Sequence, residues 1–323
     1  MANMQGYDIF PGTMKVPDIR IGTVSDHIKG TGITALLLPA GSFASVDVAG
    51  GAPATRETPV LAPANLVPGA DAIILTGGSA LGLETADGAQ RVLRRYHRGF
   101  TLANIHIPIV VAASIFDLDY GQAEPPTLED GKEAMQKAME EPPSNLVPEG
   151  SQGAGTGATV GKSLGAGLAM KGGQACVSLV TPGGLVLAAL VVVNALGSIV
   201  DKNGRILAGP RDENGKPQAT TPAMWERSSA MPSPGQSTTI GAIITNARLS
   251  KIELLRVCRM GHDGLARAID PVHTPWDGDT LFAVSTGDFP ADPGLVGTVA
   301  AHAVSLAIRR AVILANTPSH PHG

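Results

Sequence analysis

Charged side chains make up only 16% of the 323 residues and aromatic ones 3%, and there are just two cysteines. Each scarcity excludes something. A formal charge of −4 leaves no basic footprint, so no nucleic-acid partner is expected. Cys176 and Cys258 lie in separate segments without CxxC or Cys–His spacing. They read as two thiols in apolar surroundings in a reducing cytoplasm, with a disulfide possible in principle but unsupported. The N-terminus lacks a basic head followed by an apolar run and a small-residue cleavage site, so a standard secretory signal is not indicated. The longest apolar run, Gly184 to Val193, is too short to cross a bilayer and reads as a buried strand. The expectation is a soluble, cytoplasmic protein with no membrane partner. The eight histidines show no HExxH or similar pairing, which predicts neither metal nor cofactor. His262 and Arg267, toward the end of a helix, read as solvent or packing residues.

Glycine, with 40 copies, and alanine are plentiful, a composition suited to closely packed strands, helices and turns. The length fits two ordinary domains or one large α/β domain. From Ile21 to about Asp119, apolar runs at Gly32–Pro39, Asp71–Thr76 and Ile107–Ala113 alternate with Gly-rich turns. Between them Ser79–Tyr96 carries helical spacing. A Pro-rich polar insertion, Gly121 to Pro148, reads as a surface excursion with a short helix at Asp130–Glu140. After Gly153–Gly173 come strand Leu185–Val193 and a polar linker from Asp201 to Gly235, with a turn at Asp212-Glu213-Asn214-Gly215. Strand Thr239–Thr245 follows, then a helix Ser250–Ile269 opened by a Ser250-x-x-Glu253 box. Strand Thr280–Ser285 and helix Val296–Leu314 complete the chain.

Chemistry concentrates at five places. At Ser237–Thr238 the long linker runs into a β-branched strand. A break there would give Thr238 a free α-amine beside its hydroxyl, so that one residue holds both base and nucleophile; unbroken, it is a strand start. Trp276-Asp277-Gly278-Asp279-Thr280 sets two carboxylates at i, i+2, where like charge raises one pKa; it also reads as a plain Asp-Gly turn. Asn194, ending the long apolar strand, can donate an uncharged N–H to an oxyanion or simply form a turn. Gly153–Gly157 through Gly161-Lys162-Ser163 to Met170–Gly173 fails as a P-loop, because Thr156 stands where the first glycine belongs. It leaves Lys162 and Lys171 as charge stabilisers or solvated lysines. Gly50–Thr58 is followed, after the next strand, by Gly77-Gly78-Ser79. That strand–turn–helix has N–H groups suited to cradling a carbonyl oxygen or anion, unless its glycines serve only the turn. It does not complete a Gly-x-Ser-x-Gly elbow, since Leu81 takes the last place.

Together and in this order, these pieces resemble the P1 (DmpA-like) family of self-processing amidohydrolases. That family includes L-aminopeptidase/D-esterases, β-peptidyl aminopeptidases and the nylon oligomer endo-hydrolases. The resemblance implies an αββα layered sandwich of the DmpA and ornithine acetyltransferase type, N-terminal-nucleophile-like. It further implies one domain over 1–323, cut into an α chain 1–237 and a β chain 238–323, and assembly into a tetramer of αβ units. Thr238 would be the nucleophile, Asn194 the oxyanion donor, Asp277 and Asp279 the acidic pair, and Lys162 the nearby lysine, with Lys171 a rival. Ser237 departs from the Asn of the nylon enzymes at the cleavage point, which implies slower processing. Asn246 stands where many aminopeptidases carry Asp, which counts against that substrate class. The implied substrates are linear amides such as 6-aminohexanoate oligomers. The alternatives are an aminopeptidase or β-peptidyl aminopeptidase reading and, further off, an ornithine/glutamate N-acetyltransferase.

Overall fold

The computed structural model describes residues 6–142, 144–226 and 237–317. The last part of the linker, 227–236, lies outside them, as do His320 and His322. The first half of the chain lays down β1 (Asp8–Pro11), β2 (Arg20–Asp26), β3 (Thr31–Leu37), β4 (Phe43–Val48) and β5 (Thr55–Arg56). Then come β6 (Ala72–Thr76), α1 (Thr85–Arg95), β7 (Val110–Ser114) and α2 (Leu128–Glu140). The second half adds β8 (Gly173–Val180), β9 (Val186–Asn194), β10 (Thr238–Ala247), α3 (Lys251–Ala266), β11 (Thr280–Phe289) and α4 (Pro293–Asn316).

Two large sheets result, one ordered β2-β3-β6-β7-β5 and the other β1-β8-β9-β10-β11-β4, beside three small ones of two or three strands. Three apolar clusters join four layers of secondary structure. Between the two sheets, Leu36, Ile73, Leu75 and Val111 meet Leu190, Val192, Ile240 and Phe282. Beneath the six-stranded sheet, Ala189, Val191 and Ile243 meet Leu254 and Val257 of α3 and Val304 and Ile308 of α4. Above the five-stranded sheet, Ile33, Ile74 and Val110 meet Val92 and Leu93 of α1 and Met135 of α2. The order is helix, sheet, sheet, helix: the expected αββα sandwich. It also explains why the run ending in Val193 shows no polar alternation. Residues 189 and 191 face helices, residues 190 and 192 face the other sheet, and a strand covered on both sides must be apolar throughout. Each fully buried Leu, Ile or Val contributes about 1.5–3 kcal/mol. Helix α4 is long and apolar enough to cross a membrane, but its inner face is part of this core.

Two expectations need correction. The insertion at Gly121–Pro148 is no surface excursion, because Ala134, Met135 and Ala138 of α2 are fully buried against β2, β3 and α1. Proline and charge at its flanks mask a four-residue apolar stripe, and Gly22 on β2 admits the helix. A Cβ there would stand 2.0 Å from the Ala134 carbonyl oxygen. Nor is the linker featureless where it is described: Ile206–Ala208 pairs with Ser198–Val200, and Thr220–Glu226 is helical. The Asp212–Gly215 turn forms as expected, with Gly215 N–H on the Asp212 carbonyl at 3.0 Å.

Candidate active site

Strand register assembles the site. On antiparallel β9 and β10, Asn194 lies opposite Thr238. Strands β10 and β11 run parallel, with Ile240 opposite Thr280, so the loop entering β11 delivers Asp277 and Asp279 to the same sheet end. Ser237 bridges Asp277. The Ser237 carbonyl oxygen accepts the Thr238 hydroxyl at 2.5 Å and the Gly278 N–H at 2.9 Å. Glycine is required between the two carboxylates, since a Cβ on Gly278 would lie 2.8 Å from Thr238 Oγ. Gly50 and Ala52, from the Gly50–Thr58 motif, back this loop by donating to the Asp279 and Asp277 carbonyls.

Asn194, Ser237, Thr238, Asp277 and Asp279 are all buried, so the charges among them matter. Asp277 accepts from the Thr274 N–H at 2.8 Å and hydroxyl at 2.6 Å. Burial first, and the Asp279 charge second, push its pKa up to about 6, against the pull of those bonds. This is the raised carboxylate that the i, i+2 spacing predicts. Asp279 accepts the Thr239 N–H at 2.7 Å through Oδ1. Lys162 sits in a turn whose Gly161 and Lys162 N–H groups donate to Ala195 and Leu196. Its Nζ donates to Asn194 Oδ1 at 2.7 Å and to the Asn194 carbonyl at 3.3 Å. Burial lowers it to about 8, although Asp119, Asp117 and Asp277 hold it up. With Thr159 N–H also on Oδ1 at 3.0 Å and Nδ2 donating to the Phe116 carbonyl at 3.0 Å, the Asn194 amide is fixed in one orientation.

Lys171 belongs to a neighbouring cluster. It donates to the Gly155 and Ala158 carbonyls and lies 4.8 Å from the Tyr120 ring centroid. Burial lowers it to about 7. Of the two lysines, Lys162 is the one that touches Asn194. Between the clusters stands Asp117, a buried carboxylate whose pKa burial raises, and which accepts from Thr31 Oγ and Gly78 N–H, both at 2.7 Å. Sequence reasoning missed Asp117, though Asp117-Leu118-Asp119 repeats the i, i+2 spacing at the end of another apolar strand. It also missed His273, whose ring bonds Asp279.

The proposed cradle at Gly77-Gly78-Ser79 is a correction. Gly77 N–H is on the Gly32 carbonyl at 2.9 Å, Gly78 N–H on Asp117, and Ser79 N–H on the Ile115 carbonyl at 2.8 Å. The turn spends its donors on its own scaffold. Asn246 is also displaced from the chemistry. It closes the opposite end of β10, about 26 Å of strand from Thr238, with Oδ1 on Val186 N–H and Nδ2 on the Gly184 carbonyl. Both cysteines are free and buried, and burial pushes their thiols up.

A four-layer αββα sandwich of this kind is the architecture of amide-bond hydrolases with the N-terminal-nucleophile fold. Its solved likenesses include the L-aminopeptidase D-Ala-esterase/amidase of Ochrobactrum anthropi, described as a variant of that fold. The TM-score is 0.65 at 20% identity, over 96% of this chain and 88% of that one. A β-aminopeptidase of Burkholderia sp. matches with a TM-score of 0.63 at 21% identity, over 94% and 87% of the two chains. The model of peptidase family S58 matches residues 14–322, and the chain belongs to that family. An uncharacterized aminopeptidase of Mycobacterium leprae is 39% identical over 263 residues, 79% of this chain and 71% of that one. A 6-aminohexanoate-oligomer endohydrolase of Paenarthrobacter ureafaciens is 32% identical over 290 residues, 86% and 76% of the two chains. The protein is an amide-bond hydrolase.

Proposed function

We propose that the chain cuts itself between Ser237 and Thr238 and then hydrolyses linear amides, such as 6-aminohexanoate oligomers, through an acyl-enzyme on Thr238. The observation that carries this reading is the Thr238 hydroxyl, 2.5 Å from the oxygen of the preceding carbonyl, in a buried pocket of acids, amide and lysine. In the first step Oγ attacks the Ser237 carbonyl carbon while the Gly278 N–H supports its oxygen. The C–N bond breaks as the Thr238 nitrogen takes up the hydroxyl proton and becomes a free amine, the acyl group passes to Oγ, and water hydrolyses that ester to release the Ser237 carboxylate and the Thr238 hydroxyl. In turnover the same Oγ attacks a substrate carbonyl, and the α-amine or the cluster of Asp277, Asp279 and Lys162 moves the proton. Asn194 donates to the tetrahedral oxyanion, an effect typically worth about 2.7–4 kcal/mol per donor. Water then releases the acid.

The identity of about a third to a nylon-oligomer hydrolase over most of both chains supports the substrate class. The higher identity to an aminopeptidase of unknown substrate keeps a second reading alive, and Asn246 no longer counts against it, since that side chain lies at the far strand end. Localisation in the cytoplasm and assembly as a tetramer of αβ units complete the reading, supported by the family resemblance. Linear 6-aminohexanoate oligomers, α-aminoacyl amides and β-peptides assayed side by side decide the substrate. The expected result is the highest kcat/KM on the oligomers; preference for α-aminoacyl amides would move the assignment to an aminopeptidase.

A further inference from the structure

Behind the acid pair runs a file of polar groups that the scheme above does not use. Asp279 Oδ2 accepts the His273 main-chain N–H at 3.1 Å and meets its ring Nδ1 at 2.8 Å. The His273 ring stands edge to face with His262, centroids 4.7 Å apart at 78°. His262, buried on α3, has Nε2 3.3 Å from the Asp47 carbonyl and 3.7 Å from its carboxylate. Asp47 in turn pairs with the exposed Arg259 at 3.2 Å. The file thus leads from the start of β10 to solvent; sequence reasoning gave His262 only packing or solvent duty and His273 no role.

Charge orders this file. Burial opposes a proton on His273, but the hydrogen bond to Asp279 and that carboxylate's charge outweigh it and raise the ring's titration. His262 is held low, first by burial and then by His273. Two touching imidazoles, one buried and one half-buried, cannot readily both be charged, so the proton belongs to His273. Among the described residues His273 Nε2 has no hydrogen-bond partner, although the His262 main chain is close enough to favour the protonated ring.

We infer that His273 is a positioning residue: its ring fixes Asp279, and Asp279, through the Thr239 N–H, fixes the Thr238 hydroxyl against its target carbonyl. Its importance for turnover rests on the nucleophile reading above; the pairing itself does not. The groups that face the His273 ring are Asp279, Asp277 and His262, with Asp47 and Arg259 beyond.

The test has two arms. His273→Ala is expected to slow self-cleavage and to lower kcat by about ten- to a hundredfold, with KM within about threefold of wild type. His273→Asn, whose side-chain amide can donate from near the Nδ1 position, is expected to recover most of that loss. Full activity in His273→Ala, or no recovery in His273→Asn, would overturn the inference. The second arm uses the Thr238→Ala chain with 15N-labelled histidines, followed by NMR against pH. His273 is expected to titrate above His262, and adding Asp279→Asn to lower the His273 midpoint by about one pH unit or more. An unmoved midpoint refutes the pairing. This arm needs neither cleavage nor turnover. It decides the matter if His273→Ala fails to fold, and it keeps a failure of the nucleophile reading separate from a failure of this one.

Discussion

Two strand ends of this molecule carry glycine, a hydroxyl residue and a buried carboxylate, and they have opposite characters. At the end of β6, Gly77, Gly78 and Ser79 point their N–H groups at Gly32, Asp117 and Ile115, and none of those three donors is left for a ligand. At the joined ends of β9 and β10, Asn194, Thr238, Asp277 and Lys162 are packed together, with a carboxyl raised to about 6 and an ammonium lowered to about 8. The first end is a finished turn. The first also holds one raised carboxyl, that of buried Asp117, but the second gathers a carboxyl and an ammonium together, both held away from their ordinary values, which costs stability and is characteristic of working sites. A Gly-rich turn alone therefore says little; what distinguishes a site is polar groups gathered where burial penalises them.

This contrast can be broken or sharpened by substitution. The larger effect is expected at Asn194: Asn194→Ala should lower kcat by roughly 10²–10³, and an unchanged kcat would remove that amide from the oxyanion site. Lys162→Met comes next, with kcat down about tenfold because the Asn194 amide loses the donor that orients it. It also has a pH signature. Folded Lys162 releases its proton near 8 whereas the unfolded chain holds it to about 10.5. The unfolded state then binds more protons in that window, so stability gains from this group as pH rises from 8 to 10.5. Urea unfolding should show that gain in the wild type, at most about 1.4 kcal/mol per pH unit, and its absence in Lys162→Met. Equal slopes would mean that Lys162 is not held in its buried, perturbed state. Smallest is Ser79→Ala, at the finished turn: kcat unchanged and stability within about 0.5 kcal/mol. A large kcat loss there would return that turn to the site.

Much of this was legible in the sequence because strands and caps leave local marks. The apolar run into Asn194, the β-branched start after Thr238 and the Ser250–Glu253 box, whose carboxylate accepts the Ser250 N–H at 2.8 Å, all lie where the pattern puts them. The acid pair was legible because two carboxylates two residues apart at a strand entry are visible without a fold. What stayed hidden depends on long-range packing. Strand β8 lies behind a glycine-rich stretch that disguises its start, and α2 looks solvated until its stripe meets Gly22. His273 matters only through partners across a turn and carries no local mark, and the Asp117-Leu118-Asp119 spacing gains its meaning only from partners distant in sequence. The Gly77–Ser79 reading failed for a related reason: the acceptors that occupy its N–H groups come from two other segments, one at Gly32 and one at Ile115 and Asp117.

The central claim is that Thr238 is made into a terminal nucleophile by scission of its own peptide bond. Intact mass spectrometry of the purified wild type beside Thr238→Ala tests it most directly. Two chains ending at Ser237 and beginning at Thr238 are expected from the first, and one uncut, inactive chain from the second. An active wild type that remains a single chain, or a Thr238→Ala protein that still divides, would contradict it.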